Sequence, residues 1–143
     1  MTMLLLVTLI ILILIVIGDF CQRTIHHHYL QALTVVILLG WLTQPNWSIL
    51  PYTLVILAVG CVLFYFRLLA AGDTKLLAVL SLGIHPDYLP LTIVGITVIG
   101  GIMALGYLLY GLCTDLTVVC QKGIPYGVPI SLVGGCAIYL SSL

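Results

Sequence analysis

Residues 69–80 read Leu-Ala-Ala-Gly-Asp-Thr-Lys-Leu-Leu-Ala-Val-Leu, which places Asp73 and Lys75 inside an otherwise apolar chain. The fold depends on where this pair of charges can lie. A charged side chain at the centre of a bilayer costs roughly 2.5 to 3.5 kcal/mol on scales derived from membrane insertion. We therefore expect the Gly72-Asp73-Thr74-Lys75 motif at a membrane boundary or facing a water-filled cavity. In both cases Asp73 is the first candidate for a functional side chain.

The composition indicates an integral membrane protein. Of 143 residues, 63% are hydrophobic, four are Lys or Arg, and four are Asp or Glu. About a quarter of the residues of a water-soluble domain are normally charged, so this chain cannot form a water-soluble surface. The net charge is zero and no basic run occurs, so no nucleic-acid partner is expected. We predict a single membrane-embedded domain over residues 1–143, with the lipid bilayer as its environment.

Six apolar segments are separated by polar or proline-containing breaks. They cover approximately residues 3–18, 29–44, 49–69, 76–84, 89–113 and 126–140. The first lacks a basic leader region and a small-residue cleavage site, so we expect a retained helix rather than a secretory signal. The fourth would be a helix of about 14 Å, short of the roughly 30 Å hydrocarbon core. It can cross only with its flanks, tilted or in a thinned bilayer, and a re-entrant piece is the alternative.

The basic residues favour counting all six segments as spans. With six crossings, all the basic residues fall on one side: Arg23, Arg67, Lys75 and Lys122. Without the fourth crossing, Lys122 would lie opposite the others. The positive-inside rule then places these residues in the cytoplasm and both termini outside. The sequence thus predicts an all-α bundle of about six transmembrane helices, with Asp19 and Asp73 on the cytoplasmic side.

Asp19, which follows the first apolar segment, is the second candidate. Two carboxylates at one depth can hold a water and share a proton, because close like charges cannot both ionise cheaply. One carboxylate takes a proton from the water while the other, protonated, polarises a peptide carbonyl, so this chemistry requires neither a metal nor a nucleophilic side chain. Each acid also has a structural interpretation. Asp19 can be an interfacial loop acid, and Asp73 can be a helix N-cap.

The remaining acids and the histidine run are expected to lie outside this chemistry. Asp87 follows a proline in a turn on the opposite side, and Asp115 lies in a cytosolic connection, so both are interpreted as solvated loop residues. Adjacent histidines on a helix point in different directions, and the sequence places no Cys or Glu partner for His26, His27 and His28. We predict no metal site and no cofactor.

At three places the chain resembles the type IV prepilin peptidases, intramembrane-type aspartyl proteases with a GxGD signature. Asp19 with Ile25 six residues later is similar to the family's Asp-x5-Ile-Pro-Asn, although two histidines stand where Pro and Asn would. Residues 70–76 are similar to the signature, which commonly continues as Gly-Asp-x-Lys-Leu, with Ala70 in place of its first glycine. Residues 124–129, Ile-Pro-Tyr-Gly-Val-Pro, are similar to the segment that opens the family's last helix.

The resemblance extends across nearly the whole chain. It implies that Asp19 and Asp73 are the catalytic aspartates, with Arg23, Gly72 and Lys75 near the substrate. The implied reaction is cleavage after the short basic leader of a type IV prepilin-like membrane protein, at the cytoplasmic face of the bacterial inner membrane. The chain has no counterpart of the paired CxxC segment or the N-methyltransferase region of longer members. It resembles the short, peptidase-only kind associated with tight-adherence pili, and a homodimer is left open.

Alternatives remain at this stage. Lys75 either stabilises an aspartate carboxylate or, as we favour, extends its ammonium to the headgroups. Gly72 is expected to allow close backbone approach or an unusual dihedral, and Ala70→Gly should be stabilising only if φ at residue 70 is positive. A non-enzymatic membrane scaffold or pilus-assembly subunit would explain the two aspartates as capping or ion-pairing residues. A small transporter would also place acids on a wet path, but the internal repeat expected of one is absent from the sequence.

Overall fold

A computed structural model describes residues 2–22, 27–43, 45–66, 69–113 and 125–142, without the side chains of Thr2, Gln22 and Cys113. These residues form six α-helices and two 3₁₀ turns. The helices are α1 (Thr2–Gln22), α2 (His27–Thr43), α3 (Leu50–Tyr65), α4 (Ala71–Leu82), α5 (Leu89–Cys113) and α6 (Gly127–Ser141). The 3₁₀ turns precede α3 and α5 and cover Trp47–Ile49 and Pro86–Tyr88. The described residues contain no strand, which confirms the predicted all-α class.

Among the described residues, three helical stretches are long and apolar enough to cross a bilayer. They are Met3–Cys21, Trp47–Tyr65 and Pro86–Leu112. The sixth helix is apolar but has only 15 residues. Large apolar side chains are exposed on the outside of the bundle, for example Leu54 on α3 and Leu109 on α5. Water-soluble monomers rarely expose large apolar surfaces, so these faces indicate contact with lipid.

The fourth helix, α4, has 12 residues and is about 18 Å long. It begins at Ala71 because Ala70 has an extended backbone, with φ −77° and ψ 151°. The predicted apolar segment started only at residue 76, yet the helix also includes the polar residues 72–75. A negative side chain in the first turn is favourable at the positive end of a helix, which explains how α4 can begin before its apolar run.

The first helix continues past its predicted end. The apolar segment was expected to stop at Gly18, with Asp19 opening a polar connection, but α1 runs to Gln22. Asp19 lies in the last turn of α1 and is buried, so its interpretation as a loop acid is wrong. The physical reason is that the side chain faces α6 rather than water.

The helices α1, α4 and α5 all pack on α6, whereas α2 packs on α1 and α4, and α3 packs on α4. Contacts along α6 show that α1 runs antiparallel to it. Asp19 lies against Gly127 at the start of α6, and Leu12 lies against Gly135 farther along. The last turn of α1 and the first turn of α6 therefore meet at one end of the bundle.

The direction of α4 places its first turn at the same end. Leu80 of α4 lies against Gly134, so α4 runs parallel to α6. Ser81, near the end of α4, donates a hydrogen bond to Thr53 Oγ1 near the start of α3 (2.9 Å), so α3 and α4 are antiparallel. We call the end formed by the last turn of α1 and the first turns of α4 and α6 the aspartate end. The opposite end, where α4 and α6 finish, is the distal end.

Several glycines of α5 and α6 lie where these helices pack closely on their neighbours. A Cβ atom on Gly95 would lie 3.0 Å from Val133 Cγ1, so α5 and α6 are in close contact there. Close approach at small residues is an ordinary way for membrane helices to associate. By contrast, Gly101 and Gly106 have no neighbour within 4 Å in the described part of the chain, so these two glycines do not lie at a close helix contact there.

Candidate active site

The carboxyl of Asp19 lies between α1 and α6. Asp19 is 5% exposed. A Cβ atom placed on Gly127 would come within 2.6 Å of Asp19 Oδ2. The aspartate therefore occupies space that a side chain at position 127 would need. Because Gly127 is the first residue of α6, this acid lies at the positive end of that helix dipole, which favours a negative charge.

Asp73 is the third residue of α4 and is also 5% exposed. Its carboxylate accepts a hydrogen bond from the backbone N–H of Ala70. Ala70 is the N-cap residue of α4, and its methyl side chain makes no capping hydrogen bond. The interpretation of Asp73 as the N-cap is therefore wrong in position. Asp73 acts on the helix start from within the first turn, where the helix dipole favours a negative charge.

The two aspartates come together at the aspartate end. Asp19 lies close enough to Asp73 for the two carboxyls to interact electrostatically. Both are shielded from solvent, so repulsion between two ionised carboxylates would be only weakly screened. A pair of this kind is most stable with one shared proton. In that state it can bind a water molecule through one ionised and one protonated carboxyl.

A contact with α3 fixes the start of α4. The hydroxyl of Thr74 lies 3.3 Å from the carbonyl oxygen of Gly60 and 3.3 Å from that of Ala70, and it donates to both. A Cβ atom on Gly60 would overlap Thr74 Cγ2. Thr74 directly follows Asp73 in the first turn of α4. The third helix thus sets the position of the backbone that carries this acid.

The other residues of the motif are placed differently around the pair. Gly72 lies within α4 and has a helical backbone, so it does not supply an unusual dihedral. Lys75 is exposed and lines a cavity of about 250 Å³, together with His27 and other residues of α2, α3 and α4. Two residues apart on a helix, Asp73 and Lys75 point in nearly opposite directions, and no ion pair joins them within the described ranges. Arg23 lies outside the described residues.

The acid of the distal end has a different environment. The side chain of Asp87 is 83% exposed, and its Oδ2 lies 3.3 Å from Nδ1 of His85. This confirms the prediction that Asp87 is solvated, and the residue lies at the opposite end of the bundle from the aspartate pair. Asp115 and His26 lie outside the described residues. In the described part of the chain, no three His, Cys, Asp or Glu side chains come together as metal ligands would.

Three further residues belong to this site although no sequence pattern predicted their role: Gly60, Thr74 and Gly127. Thr74 and Gly127 lie in stretches that carry the family resemblance, but their contacts join helices far apart in the chain. Sequence spacing could not reveal such contacts. Gly60 offered no signal beyond being a small residue in an apolar segment.

The model of the type IV leader peptidase family matches residues 6–105 of the chain. The matched range is well over half of the chain and contains Asp19, Asp73 and the Gly60–Thr74 contact. It ends before α6 begins. No curated protein and no solved structure matches the chain.

Proposed function

Because this chain belongs to the type IV leader peptidase family, we propose that it is a prepilin leader peptidase of the aspartic type, with Asp19 and Asp73 as its catalytic pair. One observation supports this assignment most. Two buried acids, from helices that are distant in the sequence, interact at one end of the bundle. Burying an acid in an apolar helix bundle is unfavourable, so two acids buried next to each other are characteristic of a functional site.

The proposed reaction is hydrolysis of one peptide bond by a water held between the carboxyls. The ionised carboxylate removes a proton as the water oxygen attacks the peptide carbon, and the protonated carboxyl donates its proton to the carbonyl oxygen. The tetrahedral intermediate then collapses: one of its hydroxyls returns a proton to the ionised carboxylate as the C=O bond re-forms, and the C–N bond breaks as the other carboxyl protonates the leaving amine, which restores the pair with one proton. The roles belong to the pair, because strongly interacting acids titrate as a unit.

We place the pair at the cytoplasmic face of the bacterial inner membrane, in a bundle of six spans. This layout puts all four basic residues on one side. The antiparallel packing of α1 against α6 and of α3 against α4 supports it. The short α4 is about 18 Å long, against a core of roughly 30 Å. Its crossing therefore includes the Pro86–Tyr88 turn and a tilted helix or locally thinned bilayer.

The proposed substrate is a type IV prepilin-like protein whose apolar helix lies in the membrane and whose short basic leader lies in the cytoplasm. Gly72, which directly precedes Asp73, leaves room for the substrate backbone beside the acid. Arg23, four residues after Asp19, is proposed to lie near the substrate. Lys75 extends toward the headgroups, as its exposure supports. The function needs no cofactor beyond water.

A non-catalytic membrane scaffold is the second candidate. The hydrogen bond from Ala70 to Asp73 supports it, since an acid in the first turn of a helix stabilises that helix without any reaction. This candidate leaves unexplained why Asp19 is buried against the same site. Cleavage assays with matched variants distinguish the two functions.

The test uses the purified chain in liposomes with a prepilin-type precursor that carries a short basic leader. Asp19→Asn and Asp73→Asn should each reduce leader cleavage by on the order of 10⁴-fold, because an amide can neither accept nor donate the required proton. The double variant should be no worse than either single variant, since the two act as a unit. The control Asp87→Asn should cleave at the wild-type rate. If both single variants still release the leader near the wild-type rate, the protease assignment fails and the scaffold replaces it.

A further inference from the structure

Gly127 makes an unusually close contact with one of the two acids. A Cβ atom on Gly127 would lie 2.6 Å from Oδ2, 2.9 Å from Cγ and 3.4 Å from Cβ of Asp19. Contacts below 3.0 Å are essentially never seen for real Cβ atoms. The whole side chain of Asp19 therefore lies across the position that a methyl group would take.

The backbone conformation of residue 127 does not require a glycine. Its φ lies outside the left-handed region, where only glycine is comfortable, and the residue begins the helix α6. An alanine would adopt this conformation without strain and would even favour a helix. The glycine is therefore important because it leaves space next to α6, and the Asp19 side chain occupies that space.

Gly134 of the same helix provides a comparison. A Cβ atom there would lie 2.8 Å from Cδ1 of Leu80. That contact involves the end of a flexible side chain, which can rotate away. The contact of Gly127 also includes Cγ and Cβ of a short side chain, so an added methyl group can be relieved only by turning Asp19 about χ1 or by moving α1 away from α6. Either movement displaces the Asp19 carboxyl relative to Asp73.

We propose that Gly127 is a positioning residue for the catalytic pair: the absence of its side chain fixes where the Asp19 carboxyl lies relative to Asp73. This proposal rests on the proposed protease function. It assigns α6, which contributes no acid in its described residues, a role in the geometry of the reaction. A misplacement of a reacting group by 1 Å can cost about 100-fold in rate.

The first test compares Gly127→Ala with Gly134→Ala on the same prepilin-type precursor. We expect kcat of Gly127→Ala to fall about 100-fold with KM unchanged, because the acid moves while the substrate surface remains. Gly134→Ala adds the same methyl group to the same helix and should retain kcat, even if its thermal unfolding temperature is lower. A structural defect alone would lower kcat in both variants in proportion to the folded fraction. Wild-type kcat in Gly127→Ala would overturn the proposal.

A second test holds even if Gly127→Ala does not fold. In a background with the native cysteines replaced by serine, Asp19→Cys and Gly127→Cys are combined and oxidised. The built Cβ–Cβ distance of 3.4 Å is close to the roughly 3.5 to 4.5 Å of disulfides. We expect an intrachain disulfide, detected by mass, and none when Asp19→Cys is combined with Gly134→Cys. Failure of the first pair to cross-link would overturn the contact itself.

The outcomes separate this inference from the proposed function. If Asp19→Asn and Asp73→Asn are inactive while Gly127→Ala has wild-type kcat, the protease remains and only the positioning role fails. If the Asn variants are active, the protease function fails, whereas the disulfide result still reports on the contact between α1 and α6.

Discussion

Both ends of the bundle carry acids, but the acids are buried at one end and exposed at the other. At the aspartate end, Asp19 and Asp73 are each 5% exposed and interact with one another. At the distal end, Asp87 is 83% exposed in its side chain and contacts only His85 among the described ion pairs. An acid at a wet surface costs little, and an exposed pair of this kind contributes about 0 to 1 kcal/mol. Burial distinguishes the two acids of the proposed catalytic pair from the solvated one.

Cavity size does not distinguish the two ends, because the cavity beside Lys75 measures about 250 Å³ and the cavity at the distal end about 220 Å³. The distal end holds a cavity of about 220 Å³, lined by Trp41, His85 and Ser141 among other residues of α1, α2, α4, α6 and the connections beside them. Among the described residues, no buried acid lines this cavity. Pockets of this kind are the usual starting point for locating a site. In a membrane bundle, however, a pair of buried ionisable groups is the more specific sign of function, because it is unfavourable unless it is used.

The largest effect is expected from a labelling experiment that tests whether the two ends of the bundle lie on opposite sides of the membrane. In a background without native cysteines, His28→Cys near the aspartate end should react with a membrane-impermeant thiol reagent only from the cytoplasm. Ser48→Cys, in the turn before α3, should react only from outside. Both positions are exposed. Labelling of both from one side would contradict the six-span layout and the cytoplasmic placement of the pair.

A smaller effect is expected from the helix contact that holds Asp73. Gly60→Ala would force a methyl group against Thr74, and overpacking of this kind costs about 1 to 3 kcal/mol. Thermal unfolding in detergent should show the loss, and leader cleavage should fall because α4 shifts with Asp73. The matched control is Gly101→Ala, whose added methyl group meets none of the described residues within 4 Å and should leave both quantities unchanged. Equal stability of the two variants would show that the Gly60–Thr74 contact does not hold α4.

Part of this site could be predicted from the sequence. An acid in an apolar chain is unfavourable, so Asp19 and Asp73 could be recognised individually, and the distribution of Arg and Lys predicted their common side. The end of α1 at Gln22 could not be predicted, because the apolar run stops at Gly18. The helix continues for another turn because the Asp19 side chain packs against α6 and does not need to reach water. Contacts across helices, such as Gly127 with Asp19, depend on packing that no local pattern encodes.

The smallest effect concerns Ala70, where the resembling family has glycine. Its φ of −77° is comfortable for alanine, so glycine would relieve no strain. Ala70→Gly should change the free energy of unfolding by less than about 1 kcal/mol, since the entropy cost of glycine is offset by its better performance as an N-cap. Cleavage should be unchanged. A large gain in activity would mean that the substrate backbone approaches residue 70 and is hindered there by the methyl group.

The central claim is that Asp19 and Asp73 form one carboxyl pair at the cytoplasmic end of the bundle. The separation of their carboxyl oxygens, measured in an experimental structure of the wild-type protein in a lipid nanodisc, tests it most directly. We predict that the nearest oxygens lie about 3 Å apart or are bridged by a single water molecule. Carboxyls separated by packed side chains, or placed in opposite leaflets, would contradict the claim.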